Sequence, residues 1–141
     1  MASLSVLFIC VGNTCRSPMA EAIARGLSGG EVIAASAGVM PFGRIVDATR
    51  VTLDELGYDS SNLTSKGLEE VDLSRFDVIV SLLGPAGLSS LPRSLGAELE
   101  SWSIRDPYGE DEVTYRAVAR ELERRIRNLL AEHFDRELPL I

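Results

Sequence analysis

The 141-residue sequence predicts an α/β fold built on a parallel sheet, and three observations support this. Short apolar runs recur along the chain, the first being Leu4 to Cys10. Segments with helical periodicity stand between them and after them. The runs are separated by glycine, proline and aspartate clusters of the kind that turn a chain. Strands alternating with helices in a chain of this length imply one domain, right-handed crossovers and helices on both faces of the sheet. In such a sheet the ligand site lies beyond the carboxyl ends of the strands.

Each element follows from its residues. Leu4 to Cys10 is a short apolar run, broken only by Ser5 and rich in branched and aromatic residues, as expected of a strand buried on both faces. Gly12 and Asn13 tolerate positive φ and suit a sharp loop. Ser17 is a good N-cap and Pro18 fits a first helical position. Met19, Ala22, Ile23, Gly26 and Leu27 then share one helix face, and Gly29 and Gly30 end that helix. Val32 to Ala37 reads as a second strand and Met40 to Arg44 as a loop. Asp47 can cap a helix that stops at Gly57, and Asp59 to Ser65 is turn-like. Asp77 to Leu82 is a third strand, and Leu99 to Ile104 a weaker fourth. A final helix runs from about Val113 to Phe134, with Tyr115, Val118, Leu122, Ile126 and Leu129 on its apolar face. The loops after Cys10, Ala37, Leu82 and Ile104 should meet at one sheet edge.

Composition narrows the function. A net charge of −7 argues against a nucleic-acid partner, which needs a basic face. The apolar run near the N-terminus is too short to cross a membrane. Two cysteines make no disulfide scaffold, so the cytoplasm is the expected location. One histidine and two otherwise occupied cysteines leave no metal site, and no cofactor is expected. His133 should be solvated near a helix end, Trp102 should pack, and Glu21 reads as a surface or packing residue.

The chemistry lies in the stretch CVGNTCRSP, residues 10–18. The amides of Val11 through Arg16, wrapped at a helix N-terminus, form a nest for a tetrahedral oxyanion. Arg16 adds a planar fork that holds two of the anion's oxygens. The Cys10 sulfur sits at the bottom, where the helix end and the arginine favour a thiolate nucleophile. Ser17 can donate a hydrogen bond to that sulfur. Asp106, in the DPYG segment, follows the fourth strand and belongs at the same edge. It would protonate the leaving atom and then activate water. Tyr108 beside it could stack on a phenyl ring.

CVGNTCRSPMAEA with the downstream DPYG resembles the low-molecular-weight phosphotyrosine phosphatase superfamily over nearly the whole chain, including SAG at 36–38. The resemblance implies a three-layer α/β/α domain over residues 1–141, with a four-stranded sheet in the order 2-1-3-4. It implies hydrolysis of phosphorylated protein side chains, phosphotyrosine above all, through a phosphocysteine on Cys10. Arg16 is then the clamp, Asp106 the acid, and Ser17 a tuner of the thiolate. Asn13 holds the loop through Ser36, and Val11, Gly12, Asn13, Thr14, Cys15, Arg16 and Tyr108 line the phosphate and substrate site. Cys10 and Cys15 form a redox pair in the same resemblance.

Three alternatives remain open. Thr14 stands where relatives resembling protein-arginine phosphatases carry threonine, which points to phosphoarginine. The second half of the chain is similar to the redoxin-coupled arsenate reductase branch, which implies arsenate in the same cup and thioredoxin or glutaredoxin as partner. That branch carries extra cysteines where this chain reads SLLGPAG, so its internal relay is missing here. A pseudo-enzyme that only binds phosphate groups is the third.

Overall fold

The computed structural model describes residues 4–92 and 95–134. Four strands, β1 (Leu4–Cys10), β2 (Val32–Gly38), β3 (Val78–Ser81) and β4 (Glu98–Ser101), form one sheet in the order β2-β1-β3-β4. All three pairings are parallel. The helices are α1 (Arg16–Leu27), α2 (Asp47–Glu55) and α3 (Glu112–Phe134). The fold class and strand order are those expected from the sequence.

The central strand explains the sheet. Val6 through Cys10 are all buried, and their side chains alternate between two cores. Val6 and Phe8 face the larger core with Met19 and Ile23 of α1, Leu53 of α2, and Leu122 and Ile126 of α3. Leu7 and Ile9 face the smaller core with Ile79 and Ala37. The two faces are covered unequally. The three α-helices share the first core, whereas the second is roofed by three short 3₁₀ segments, Leu68–Glu70, Leu73–Arg75 and Gly84–Ser90, with Leu68, Leu73 and Leu88 pointing in. Both faces of β1 are thus dry, which is why its residues read as a near-continuous apolar run.

Several boundaries differ from expectation. α1 begins at Arg16 with Cys15 as N-cap and no side-chain cap, so neither Ser17 nor Pro18 has the terminal role its type suggests. Asp47 is the first residue of α2 rather than its cap, while Gly57 follows the C-cap with φ +89°, as a C′ glycine should. β4 starts at Glu98 and stops at Ser101. Beyond it, the Trp102 amide still donates to Ser81 O at 2.7 Å, and Trp102 packs on Phe8 with ring centroids 6.2 Å apart.

His133 is not simply solvated. Its Nδ1 lies 2.9 Å from Leu129 O, and its Nε2 lies 3.2 Å from Glu98 Oε1, tying the end of α3 to the start of β4. Glu98, Glu100 and His133 form one donor group at the edge opposite the Cys10 end of β1. Burial by itself would push the His133 pKa down. The Leu129 carbonyl and the Glu98 carboxylate outweigh it and hold the pKa above the ordinary value. A pKa raised by folding adds stability that is fully present below the unfolded value and is lost as pH rises through the folded one. Replacing His133 with Gln should therefore cost more stability at pH about 5.5 than at pH about 8.5, read from urea midpoints at both pH values.

Candidate active site

The sheet edge where β1 and β2 end carries the loop 11–15, and its backbone is turned outward in a regular way. The amides of Val39, Met40 and Phe42 donate to the carbonyls of Cys10, Val11 and Gly12 at 3.1, 2.9 and 2.8 Å. With those carbonyls taken on the outside, the N–H groups are left for the inside. Among the described residues, no protein acceptor pairs with the amides of Val11 through Cys15. Successive N–H groups turned into one concavity in this way make an anion-binding nest.

Close approach makes Gly38 obligatory in this arrangement. A Cβ on Gly38 would stand 2.5 Å from Val11 O and 2.8 Å from Asn13 N. Asn13 has φ +49°, a left-handed conformation that asparagine tolerates. Its side chain then pays back the strain. Oδ1 accepts from the Lys66 amide at 2.7 Å, and Nδ2 donates to Ser17 Oγ and Ser36 Oγ at 2.8 and 2.9 Å.

A cavity of about 230 Å³ opens over this loop. Of the residues singled out in the sequence, Cys10, Val11, Gly12, Thr14, Cys15, Arg16, Asp106 and Tyr108 line it, with Met40 and Phe42 added from the facing loop. Asn13, Ser17 and Ser36 are fully buried behind it. Cys10 Sγ lies 2.9 Å from Ser17 Oγ. Ser17 is thus drawn from helix capping to the sulfur. Arg16 Nη1 donates to Ile104 O at 3.1 Å, and Nη2 stands 3.5 Å from Asp106 Oδ2. The arginine, itself buried, is held by the segment that follows β4 and by the exposed carboxylate. Asp106 Oδ1 accepts from the Tyr108 amide at 3.1 Å, which fixes the aspartate beside the mouth. Phe42 and Tyr108 meet edge to face across the opening, with centroids 5.6 Å apart.

Two residues do more than their sequence reading gave them. Thr14 lines the cavity, and its hydroxyl also donates to Arg44 O at 2.6 Å and accepts from the Val46 amide at 3.1 Å, so it bolts the 40–46 wall to the cup. Glu21, expected at the surface or in simple packing, is buried, accepts from Ser36 Oγ at 2.6 Å and pairs with Arg25 at 2.5 Å. Cys15 is a free, buried thiol whose Sγ lies 3.4 Å from Tyr115 Oη of α3. Burial pushes its pKa up, and the Tyr115 and Thr49 hydroxyls only partly offset this.

Comparison with known proteins agrees with the geometry. The profile of the family described as low molecular weight phosphotyrosine protein phosphatase matches residues 5–139. The glutaredoxin arsenate reductase of Synechocystis is 33% identical over 128 residues, covering 90% of this chain and 96% of that protein. An arsenate reductase structure from Archaeoglobus fulgidus has a TM-score of 0.78 at 35% identity, covering 89% of this chain and 98% of that one. A low molecular weight protein tyrosine phosphatase structure from T. tengcongensis has a TM-score of 0.81 at 31% identity, covering 92% and 99%.

Thr14→Val keeps the shape of the side chain but leaves Arg44 O and the Val46 amide unpaired in a partly buried place. It should cost about 1–3 kcal/mol in urea unfolding, and Thr14→Ser should recover most of the loss.

Proposed function

Since the chain belongs to the low molecular weight phosphotyrosine protein phosphatase family, we propose that it is a Cys10-dependent oxyanion enzyme whose substrate is arsenate, which it reduces with thiols supplied from outside the chain. One observation carries the reading: the nucleophile loop is complete, while the relatives matching the chain along most of its length include proteins named arsenate reductases. Arsenate is a tetrahedral oxyanion, and the free amides of the loop together with Arg16 suit it.

The Cys10 thiolate attacks arsenic(V), an As–O bond breaks, and the oxygen leaves as water with a proton from Asp106. A second thiolate then attacks the Cys10 sulfur. A disulfide forms to Cys10, the S–As bond breaks, and its electron pair stays on arsenic, which departs as arsenite. A further thiol restores Cys10. The sum is arsenate and two thiols giving arsenite, one disulfide and water. The chain has only two cysteines. Cys15 is a poor attacking thiol, because burial disfavours its thiolate and it points to Tyr115. The stretch at Leu83, Gly84 and Pro85 offers none. The second thiol therefore comes from a small thiol or a redoxin of the glutaredoxin or thioredoxin kind.

A second reading is favoured by the mouth of the site. Asp106 held beside Arg16, and Phe42 against Tyr108, form an acid and an aromatic wall suited to a phosphate monoester of a phenol on a protein. The Thr14 hydroxyl is committed to the wall, so it is not free to position a water for phosphoarginine, while its small side chain still lines the cavity.

Reduced protein should be assayed on arsenate with glutathione, glutaredoxin and thioredoxin, and in parallel on phosphotyrosine and phosphoarginine peptides. Arsenite formation that Cys10→Ser abolishes and Cys15→Ser retains is the expected result. Phosphate release with no arsenite under any thiol would replace the first reading with the second. No turnover in any arm, with phosphate still bound, would make the protein a binder only. Asp106→Asn should lower turnover of aryl phosphates by about 10²–10⁴ in steady-state kinetics.

A further inference from the structure

With Cys10 as a thiolate, the hydrogen bonds behind it have one consistent direction, and it can be read from both ends. The Lys66 amide donates to Asn13 Oδ1, so the carboxamide nitrogen must face Ser17 and Ser36. Both of its hydrogens are given away there. Ser36 Oγ, accepting from Asn13, has one hydrogen left, and Glu21 Oε1 takes it. Ser17 Oγ likewise accepts from Asn13, and a Cys10 thiolate, which can only accept, takes its one hydrogen. A carboxylate accepts only. Glu21 therefore holds Ser36 as an acceptor towards Asn13, while Arg25, four residues on, balances the buried charge.

We propose that Glu21 is a positioning residue for Cys10, setting the polarity of the chain Ser36, Asn13 and Ser17 so that it ends with a hydrogen on the sulfur. A hydrogen bond donated to the charged form of a group favours that form, so the chain stabilises the thiolate from a buried carboxylate that does not touch it. This rests on Cys10 as the nucleophile but not on the choice between arsenate and phosphate esters.

Two effects of removing the carboxylate have opposite signs, which makes the test decisive. Through space, losing a negative charge would favour the thiolate. Through the chain, a glutamine whose Oε1 still serves Arg25 turns its amide towards Ser36, leaves the Ser36 hydrogen without an acceptor and weakens Asn13. The thiolate is then disfavoured.

The test is the pH profile of Cys10 alkylation by iodoacetamide, in the full chain carrying Cys15→Ser so that one thiol reacts. It uses neither arsenate nor a phosphate ester, so failure of the functional reading leaves it intact. In Glu21→Gln the half-maximal rate should move to higher pH by about 0.5–1 unit. In a Ser36→Ala background, where the link to Asn13 is already cut, Glu21→Gln should add no upward shift. No shift, a shift to lower pH, or the same upward shift in both backgrounds overturns the proposal. If Glu21→Gln does not fold, Ser36→Ala alone decides, since it leaves the Glu21–Arg25 pair in place: an upward shift upholds the chain and an unchanged profile overturns it.

Discussion

Everything at this site depends on which way the peptide groups of one loop point. Three amides of the 39–42 segment take the carbonyls of Cys10, Val11 and Gly12 on the outer side. The loop has no freedom left to turn its N–H groups anywhere but into the cavity. The surroundings over-determine the loop. Gly38 leaves room for the crossing, Asn13 adopts a left-handed conformation, and the Lys66 amide locks its side chain. Arg16 then needs no flexibility of its own, because the carbonyl of Ile104 aims it.

This local construction also resolves the charge of the chain. A net charge of −7 should repel an oxyanion at long range. Repulsion between exposed charges fades over a Debye length of about 8 Å at physiological salt. Inside the cup the relevant field is that of nearby amides, the start of α1 and one buried guanidinium, and these act where screening is weak. Asp106, 3.5 Å from Arg16 Nη2, tempers that field at the rim.

Much of this was legible in the sequence because it lies in spacing. Cys10, Arg16 and the strand–loop–helix around them are local, and periodicity finds the strand and helix on either side. Asp106 was legible because parallel topology sends the ends of all strands to one edge. Ser17 was misread as a cap, because cap preference is an average over serines free to choose the backbone. Here the sulfur and Asn13 compete for the hydroxyl and win. The structural role of Thr14, beyond lining the cavity, was hidden for a similar reason. Its hydroxyl is claimed by Arg44 and Val46, some thirty residues away, and no local pattern encodes that. Glu21 was hidden because a glutamate on a helix is usually solvated. Only the fold reveals that Ser36 and Arg25 give it partners.

The two cysteines of the loop end up in different surroundings, although only four residues separate them. Cys10 closes the strand and faces the free amides, with a hydroxyl at 2.9 Å. Cys15 begins the helix, faces α3 through Tyr115, and is held by burial in its neutral form. A neutral, hydroxyl-bound thiol is a slow nucleophile towards another sulfur. On the proposed reading Cys10 is the reacting thiol and Cys15 takes no part. Chemistry on this scaffold that consumes a second thiol would then import it, whereas phosphate ester hydrolysis would need only water and the acid proposed at Asp106. Supply of that thiol, rather than the shape of the cup, separates the two reactions, because arsenate and phosphate present the same tetrahedron to the same amides.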